Sequence, residues 1–132
     1  MKLRIFKGRI NGPTFLVSVI IGHLYLVLLS GPINWLGNIQ PWDVEGGTYA
    51  LTSIILFVLI LFAIVGYLLM IASLCAKRAH DLNKSAIIGL GIAIIPFGWL
   101  YMVLASGTKG RNHYGDEPRK QNYFLLPLGI EL

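Results

Sequence analysis

The chain has 132 residues, of which 55% are hydrophobic and only 13% are charged. A soluble domain usually carries about a quarter charged residues, and so short a chain cannot bury this much apolar surface in a core of its own. The net charge of +5 would suggest nucleic acid in a soluble protein, but here the cations lie between apolar runs and no base-reading motif is present. The composition therefore predicts a single integral membrane domain, residues 1–132, in contact with lipid and without nucleic acid.

The first apolar run follows a basic segment, residues 1–12, and covers residues 14–30. Its length is at the short end for a membrane span, and Gly31 and Pro32 predict its end. A cleaved signal peptide would share the basic start, but the apolar stretch is longer than a usual signal core and no small-residue cleavage site follows Leu29. We therefore expect a retained helix.

A histidine, His23, lies in the middle of this run. Polar side chains at that depth are costly and are functional candidates by default. The alternative is a neutral imidazole that is hydrogen-bonded to Ser18, Ser73 or a backbone carbonyl of a neighbouring helix. No carboxylate lies inside an apolar run, which disfavours a proton relay within one chain.

The second apolar run, residues 49–76, has no charged residue and is long enough to span with some tilt. The loop before it, residues 31–48, lacks Lys and Arg and contains Trp35 and Trp42, a residue type that favours the headgroup level. The single cysteine, Cys75, has no partner for an internal disulfide, and we interpret it as a small buried apolar residue.

The third run, residues 86–106, contains Pro96, which removes a helical hydrogen bond and disfavours helix geometry at the preceding residue. The run is therefore predicted to be either one kinked helix or two half-helices around Pro96-Phe97-Gly98. The fold class expected from the sequence is an all-α membrane protein, a small bundle of three hydrophobic helices with the third broken or kinked at Pro96. A polar tail, residues 107–132, follows.

The distribution of Lys and Arg predicts the orientation. With the N-terminus in the cytoplasm, the loop without Lys or Arg lies outside, as the positive-inside rule favours. Three full spans would export the four cations of the tail, whereas a re-entrant third run would keep all eleven Lys and Arg residues inside. We take three spans as the expectation and a re-entrant third run as its alternative.

Four motifs occur in a fixed order: Phe6-Lys7-Gly8-Arg9-Ile10, KRAHDLNKS at 77–85, Pro96-Phe97-Gly98, and GTKGRNHYGDEP at 107–118. This set resembles the bacterial family of unknown function 805 (DUF805), small inner-membrane proteins that include the YhaH and YhaI proteins. The family's central and tail motifs are matched here by Arg78, His80, Asp81 and Ser85, and by Asn112, Tyr114, Gly115 and Pro118. The resemblance implies a bacterial inner-membrane, multi-pass architecture and carries no established activity.

The first polar motif, Arg78, His80, Asp81 and Ser85, lies where the second run leaves the membrane. On a continuous helix Arg78 and Asp81 can pair at i, i+3, and Asp81 or Ser85 could cap the next helix. One interpretation is a site for a headgroup, an ion or a partner, with His80 titrating near neutral pH. The other, which we favour, is a loop that fixes two spans to each other.

The second polar motif, Asn112, Tyr114, Gly115 and Pro118, is typical of a tight turn in the tail, because glycine permits positive φ and asparagine forms local hydrogen bonds. Its alternative role is a partner surface.

No catalytic, cofactor or metal motif is present, and none of these residues is expected to bind a cofactor or metal. The leading hypothesis is a non-enzymatic inner-membrane protein that interacts with membrane lipid or with a membrane-protein partner at its cytoplasmic face. The alternative is an oligomeric transporter or channel subunit for a small solute or an ion, because broken helices often line such sites. A headgroup-modifying enzyme is third.

Overall fold

The computed structural model of the protein describes residues 6–38 and 46–118. All regular elements in these two ranges are helices: α1 (Gly12–Asn38), α2 (Gly46–Asp81), α3 (Ala86–Ile94) and α4 (Gly98–Leu104). The all-helical class predicted from the sequence is confirmed. Trp42, in the first loop, and the end of the tail, residues 119–132, lie outside the described residues.

Helix α1 does not end at Gly31 and Pro32, where the sequence predicted its end. It continues to Asn38 with Pro32 inside it. A proline removes one intrahelical hydrogen bond, whereas a helix that ends within lipid leaves several carbonyls without partners. Continuation is therefore the less costly arrangement, and the nearby Ser30 hydroxyl adds a hydrogen bond to the Val27 carbonyl at 2.6 Å.

Two helical segments are long and apolar enough to cross a membrane, Gly12–Trp35 in α1 and Ala50–Asp81 in α2. Hardly any of their most apolar residues are buried within the protein, and side chains such as Leu28 and Phe62 are about three-quarters exposed, at 76% and 74%. A core helix of a soluble protein would be covered on at least one side. This exposure favours lipid as the surroundings of both helices.

The predicted count of three helices is not confirmed, because the run at 86–106 forms two helices and not one. Helix α3 has 9 residues and α4 has 7, and residues 95–97 separate them. At about 1.5 Å per residue neither is long enough for a hydrocarbon core of about 30 Å. The chain turns sharply at this point. Gly98 comes so close to the preceding helix that an added Cβ would overlap the Ile92 carbonyl. We call residues 86–104 the hairpin and residues 94–97 its tip.

The hairpin packs against one end of the α1–α2 pair. The buried apolar core consists of Ile10, Phe15, Leu74, Cys75 and Met102. Phe15 in α1 stacks on Trp99 in α4 with ring centroids 5.6 Å apart. The core is thus at the end of the bundle where α1 begins and α2 finishes, which is also where the polar motifs lie.

Candidate functional site

Helix α2 carries the first polar motif on its last turn, because it continues five residues beyond the predicted span and ends at Asp81. Its end has the Schellman pattern: the Lys84 amide donates to the Ala79 carbonyl at 2.8 Å and the Asn83 amide to the His80 carbonyl at 3.0 Å. Asn83 adopts a left-handed conformation with φ of 56°. Ser85 occupies the N-cap position of α3 but makes no side-chain capping hydrogen bond.

Arg78 is fully buried and joins the end of α2 to the end of the hairpin. Its guanidinium donates to Asp81, as the i, i+3 spacing predicted, and to the carbonyls of Met102 (2.5 Å) and Ala105. A third carbonyl, that of Ile10, accepts at 3.4 Å. Met102 lies in the last turn of α4 and Ala105 is its C-cap, where the helix dipole is negative and carbonyls lack helical partners. Arg78 therefore caps the C-terminus of α4.

Arg9, from the segment before α1, binds the other oxygen of the same carboxylate. Its Nε and Nη2 donate to Asp81 Oδ1 at 3.2 and 2.9 Å. Its remaining donors reach three tail carbonyls, those of Gly110 (2.7 Å), Gly115 (3.1 Å) and Thr108. We call Arg9, Arg78 and Asp81 the Arg–Asp cluster. It connects segments that are 72 residues apart in the chain.

Asp81 has both carboxylate oxygens in ion pairs, and the three side chains of the cluster are almost completely buried. Its backbone carbonyl accepts from the amide and the hydroxyl of Thr108, each at 2.8 Å. Gly107 lies so close to the carboxylate that an added Cβ would overlap it. One buried anion thus faces two buried guanidinium groups, and the carbonyl oxygens around them disperse the remaining positive charge.

His80 lies between the N-terminal segment and the tail. Its Nδ1 is 3.1 Å from the Gly8 carbonyl, and its ring stacks on Tyr114 with centroids 4.0 Å apart and planes 9° from parallel. Its backbone carbonyl accepts from the Asn112 side chain at 2.8 Å. The two predicted polar motifs therefore meet.

The tail forms the turn that its composition predicted. Asn112 and Gly115 exchange backbone hydrogen bonds of 2.9 and 3.2 Å, and Gly115 has φ of 134°. The Asn112 side chain accepts from the Tyr114 amide at 2.8 Å and donates to the Thr108 hydroxyl at 2.7 Å. Pro118 is the last described residue and is partly exposed.

A family model described as "Protein of unknown function (DUF805)" matches residues 4–116. The chain belongs to the DUF805 family. The resemblance inferred from the motifs is thereby confirmed, and the DUF805 match includes every member of the Arg–Asp cluster as well as His80 and Asn112. No curated protein and no solved structure matches the chain.

Two predicted positions lie apart from this site. His23 is exposed on α1, and its Nδ1 is 2.8 Å from the Val19 carbonyl of the same helix, not from a carbonyl of a neighbouring helix. Cys75 is buried in the apolar core and has a free thiol. In the part of the chain that the structure describes, no group of three or more His, Cys, Asp or Glu side chains could hold a metal ion.

Sequence reasoning missed Arg9, Thr108 and Gly107 as members of the site. Arg9 lies in a basic segment, where cations are ordinary topology signals, and nothing local distinguishes it from Lys7. The signal that could have identified it is its position in the N-terminal motif of the DUF805 resemblance.

Proposed function

We propose that the chain is a bacterial inner-membrane protein in which α1 and α2 span the bilayer and the hairpin re-enters it from the cytoplasm. The N-terminus and the tail are then both cytoplasmic. The observation that carries this proposal is the Arg–Asp cluster, since it joins the N-terminal segment, the end of α2 and the tail at one end of the bundle. A tail on the far side of the membrane could not make these contacts.

The charge distribution supports this orientation. All eleven Lys and Arg residues lie in residues 1–12, 77–84 and 107–120, the three segments that the cluster connects or adjoins. The loop between α1 and α2 has no Lys or Arg. The positive-inside rule therefore places the clustered end in the cytoplasm, and the re-entrant arrangement replaces the third span expected from hydropathy.

We propose further that this cytoplasmic face acts by interaction and not by catalysis. The polar groups of the Arg–Asp cluster form hydrogen bonds and ion pairs within the protein. Such a network stabilises the contact between the segments that it joins. Outside it, Lys7, Lys109 and Arg111 are exposed at the same end of the molecule. Cations next to the membrane attract anionic lipid headgroups, at about 1 kcal/mol each. A membrane-protein partner that binds the same face is the second form of this proposal.

The test compares lipid retained by the purified chain after reconstitution into an equimolar mixture of phosphatidylcholine and phosphatidylglycerol. We expect enrichment of phosphatidylglycerol around the wild-type chain and a lower enrichment around the K109Q/R111Q variant. The control is Asp116→Asn, which removes an exposed anion of the same tail and should raise the enrichment. Retained lipid of bulk composition in all three proteins would contradict a lipid-binding role.

The second candidate function is an oligomeric transporter or channel subunit. The observation that favours it is the interrupted helix of the hairpin, because residues 95–97 place irregular backbone within the membrane, as in many ion and substrate sites. Two spans and a hairpin cannot enclose a pore, so this function requires that several chains associate.

A further inference from the structure

His80 is a titratable side chain that is buried where three segments meet. It is only 8% exposed and lies on the last turn of α2, between the N-terminal segment and the tail. Its Nδ1 is 3.1 Å from the Gly8 carbonyl, and the Tyr114 ring stacks on its face at 4.0 Å. Because a carbonyl can only accept, Nδ1 carries the hydrogen of the neutral ring, and an additional proton would bind at Nε2.

The contacts of this ring adjoin those of Arg9. Gly8 directly precedes Arg9 in the chain, and Tyr114 directly precedes Gly115, whose carbonyl accepts from Arg9 Nη1 at 3.1 Å. The imidazole therefore lies beside the Arg–Asp cluster, in which two buried guanidinium groups share one carboxylate. That cluster has an excess of one positive charge before the imidazole takes up a proton.

The other cationic and titratable side chains at this end of the molecule add to the excess. They come from the N-terminal segment, from the end of α2 with its turn, and from the tail: Lys7, Lys77, Lys84, Lys109, Arg111 and His113. His113 is the nearest of these to the stack that is described, since it meets Tyr114 edge to face at 5.2 Å.

The carboxylates of the described residues do not balance a charge on His80. Asp81 has both oxygens in ion pairs with the two arginines of the cluster. Asp116 and Glu117 are exposed in the tail, where they lie against Arg111 at 3.9 Å and accept from the Gly110 amide at 2.8 Å. In the part of the chain that the structure describes, no carboxylate forms an ion pair with the imidazole.

A proton on the buried ring therefore costs more free energy than a proton on a ring in water. Burial withholds water from the imidazolium, and the neighbouring guanidinium groups repel it. The Gly8 carbonyl accepts from either form of the ring, and the face of Tyr114 offsets only part of the cost. If the tail leaves, the imidazole regains water and takes up a proton with the ordinary histidine pKa of about 6.5. Protonation thus favours the released tail.

We propose that His80 makes the docking of the tail sensitive to acid. At neutral pH the uncharged ring stacks on Tyr114 and the tail stays bound over the end of α2. In acid the protonated ring loses this stack, and the tail is released together with its exposed cations, Lys109 and Arg111. The contacts involved do not depend on the membrane topology, and in the topology proposed above the compartment whose pH matters is the cytoplasm.

The experiment measures the distance between the tail and the far end of α1 in the full chain, in detergent micelles, by double electron–electron resonance. In a Cys75→Ala background, nitroxides are attached to Asn38→Cys and Asp116→Cys, two exposed positions. Between about pH 8 and pH 5 carboxylates keep their charge, whereas histidine titrates. We expect a narrow distance distribution at the higher pH and a growing broad component at the lower. The docking equilibrium constant should fall by as much as about thirtyfold, the limit for one histidine that is protonated only in the released form.

Two variants identify the histidine that is responsible. His80→Asn keeps an amide donor near the Gly8 carbonyl and cannot be protonated in this range, so its distance distribution should be the same at both pH values. His113→Asn is the matched control, because the loss of this exposed histidine should leave the response to acid unchanged.

A second measurement uses the unmodified chain, in which the imidazole resonances are followed by nuclear magnetic resonance over the same pH range. We expect the His80 ring to become protonated as the narrow component disappears. A wild-type distribution that is the same at both pH values would overturn the inference, as would a response to acid that persists in His80→Asn. If His80→Asn does not dock at neutral pH, the wild-type titration decides: a His80 ring that is protonated while the tail stays docked would also overturn the inference.

Discussion

Asp81 is the residue on which the end of the bundle that holds the two polar motifs depends. It is the only carboxylate in the Arg–Asp cluster, and it is the shared counter-ion of two buried guanidinium groups. Breaking a buried ion pair by removing one partner costs far more than breaking an exposed one, since the remaining charge stays buried.

Replacing Asp81 with Asn keeps the shape of the side chain and removes its charge. We expect the free energy of unfolding to fall by about 3–5 kcal/mol, because two buried cations lose their counter-ion. The buried thiol of Cys75 can report unfolding through its rate of maleimide labelling in detergent. Asp116→Asn is the control, since the Asp116 side chain is 90% exposed and its contact with Arg111 at 3.9 Å is a surface pair. Equal labelling rates for both variants would contradict a structural role for the cluster.

At the scale of elements, the end of α2 determines where the hairpin begins. The chain reverses direction within residues 82–85, and the left-handed Asn83 allows the Lys84 amide to reach the Ala79 carbonyl. Asparagine is the commonest residue after glycine in this position, since its short polar side chain tolerates positive φ.

We expect Asn83→Ala to lower the free energy of unfolding by about 1–2 kcal/mol, the cost of a left-handed conformation for a residue with a Cβ and no local hydrogen bond. Asn83→Gly should be tolerated or stabilising, because glycine adopts this conformation freely. Thermal unfolding of the two variants in the same detergent measures the difference. An alanine variant as stable as the glycine variant would show that this turn does not depend on positive φ.

Hydropathy predicted α1 and α2 because long uncharged runs have one stable conformation in lipid. Spacing predicted the Arg78–Asp81 pair because i, i+3 neighbours share a helix face. The sequence alone does not distinguish a kinked helix from a hairpin at residues 86–106, because Pro96 is compatible with both. The contact of Arg9 with Asp81 could not be predicted locally, because it depends on how segments distant in sequence pack.

At the level of the whole molecule, the proposed topology places different parts of the protein in the two halves of the membrane. Among the described residues, the half near the Arg–Asp cluster would then contain α1, α2 and the hairpin, and the other half only α1 and α2. The Lys and Arg residues that the structure describes lie at the first of these ends. In the proposed topology the tail therefore returns to the side of the membrane on which the chain starts.

Cysteine accessibility in intact spheroplasts tests this claim most directly. In a Cys75→Ala background, the variant Lys109→Cys places the only thiol in the tail, and Asn38→Cys places it at the far end of α1 as the control. With a membrane-impermeant maleimide, we expect Asn38→Cys to be labelled in intact spheroplasts and Lys109→Cys to be labelled only after lysis. Labelling of Lys109→Cys before lysis would place the tail outside and contradict the re-entrant hairpin.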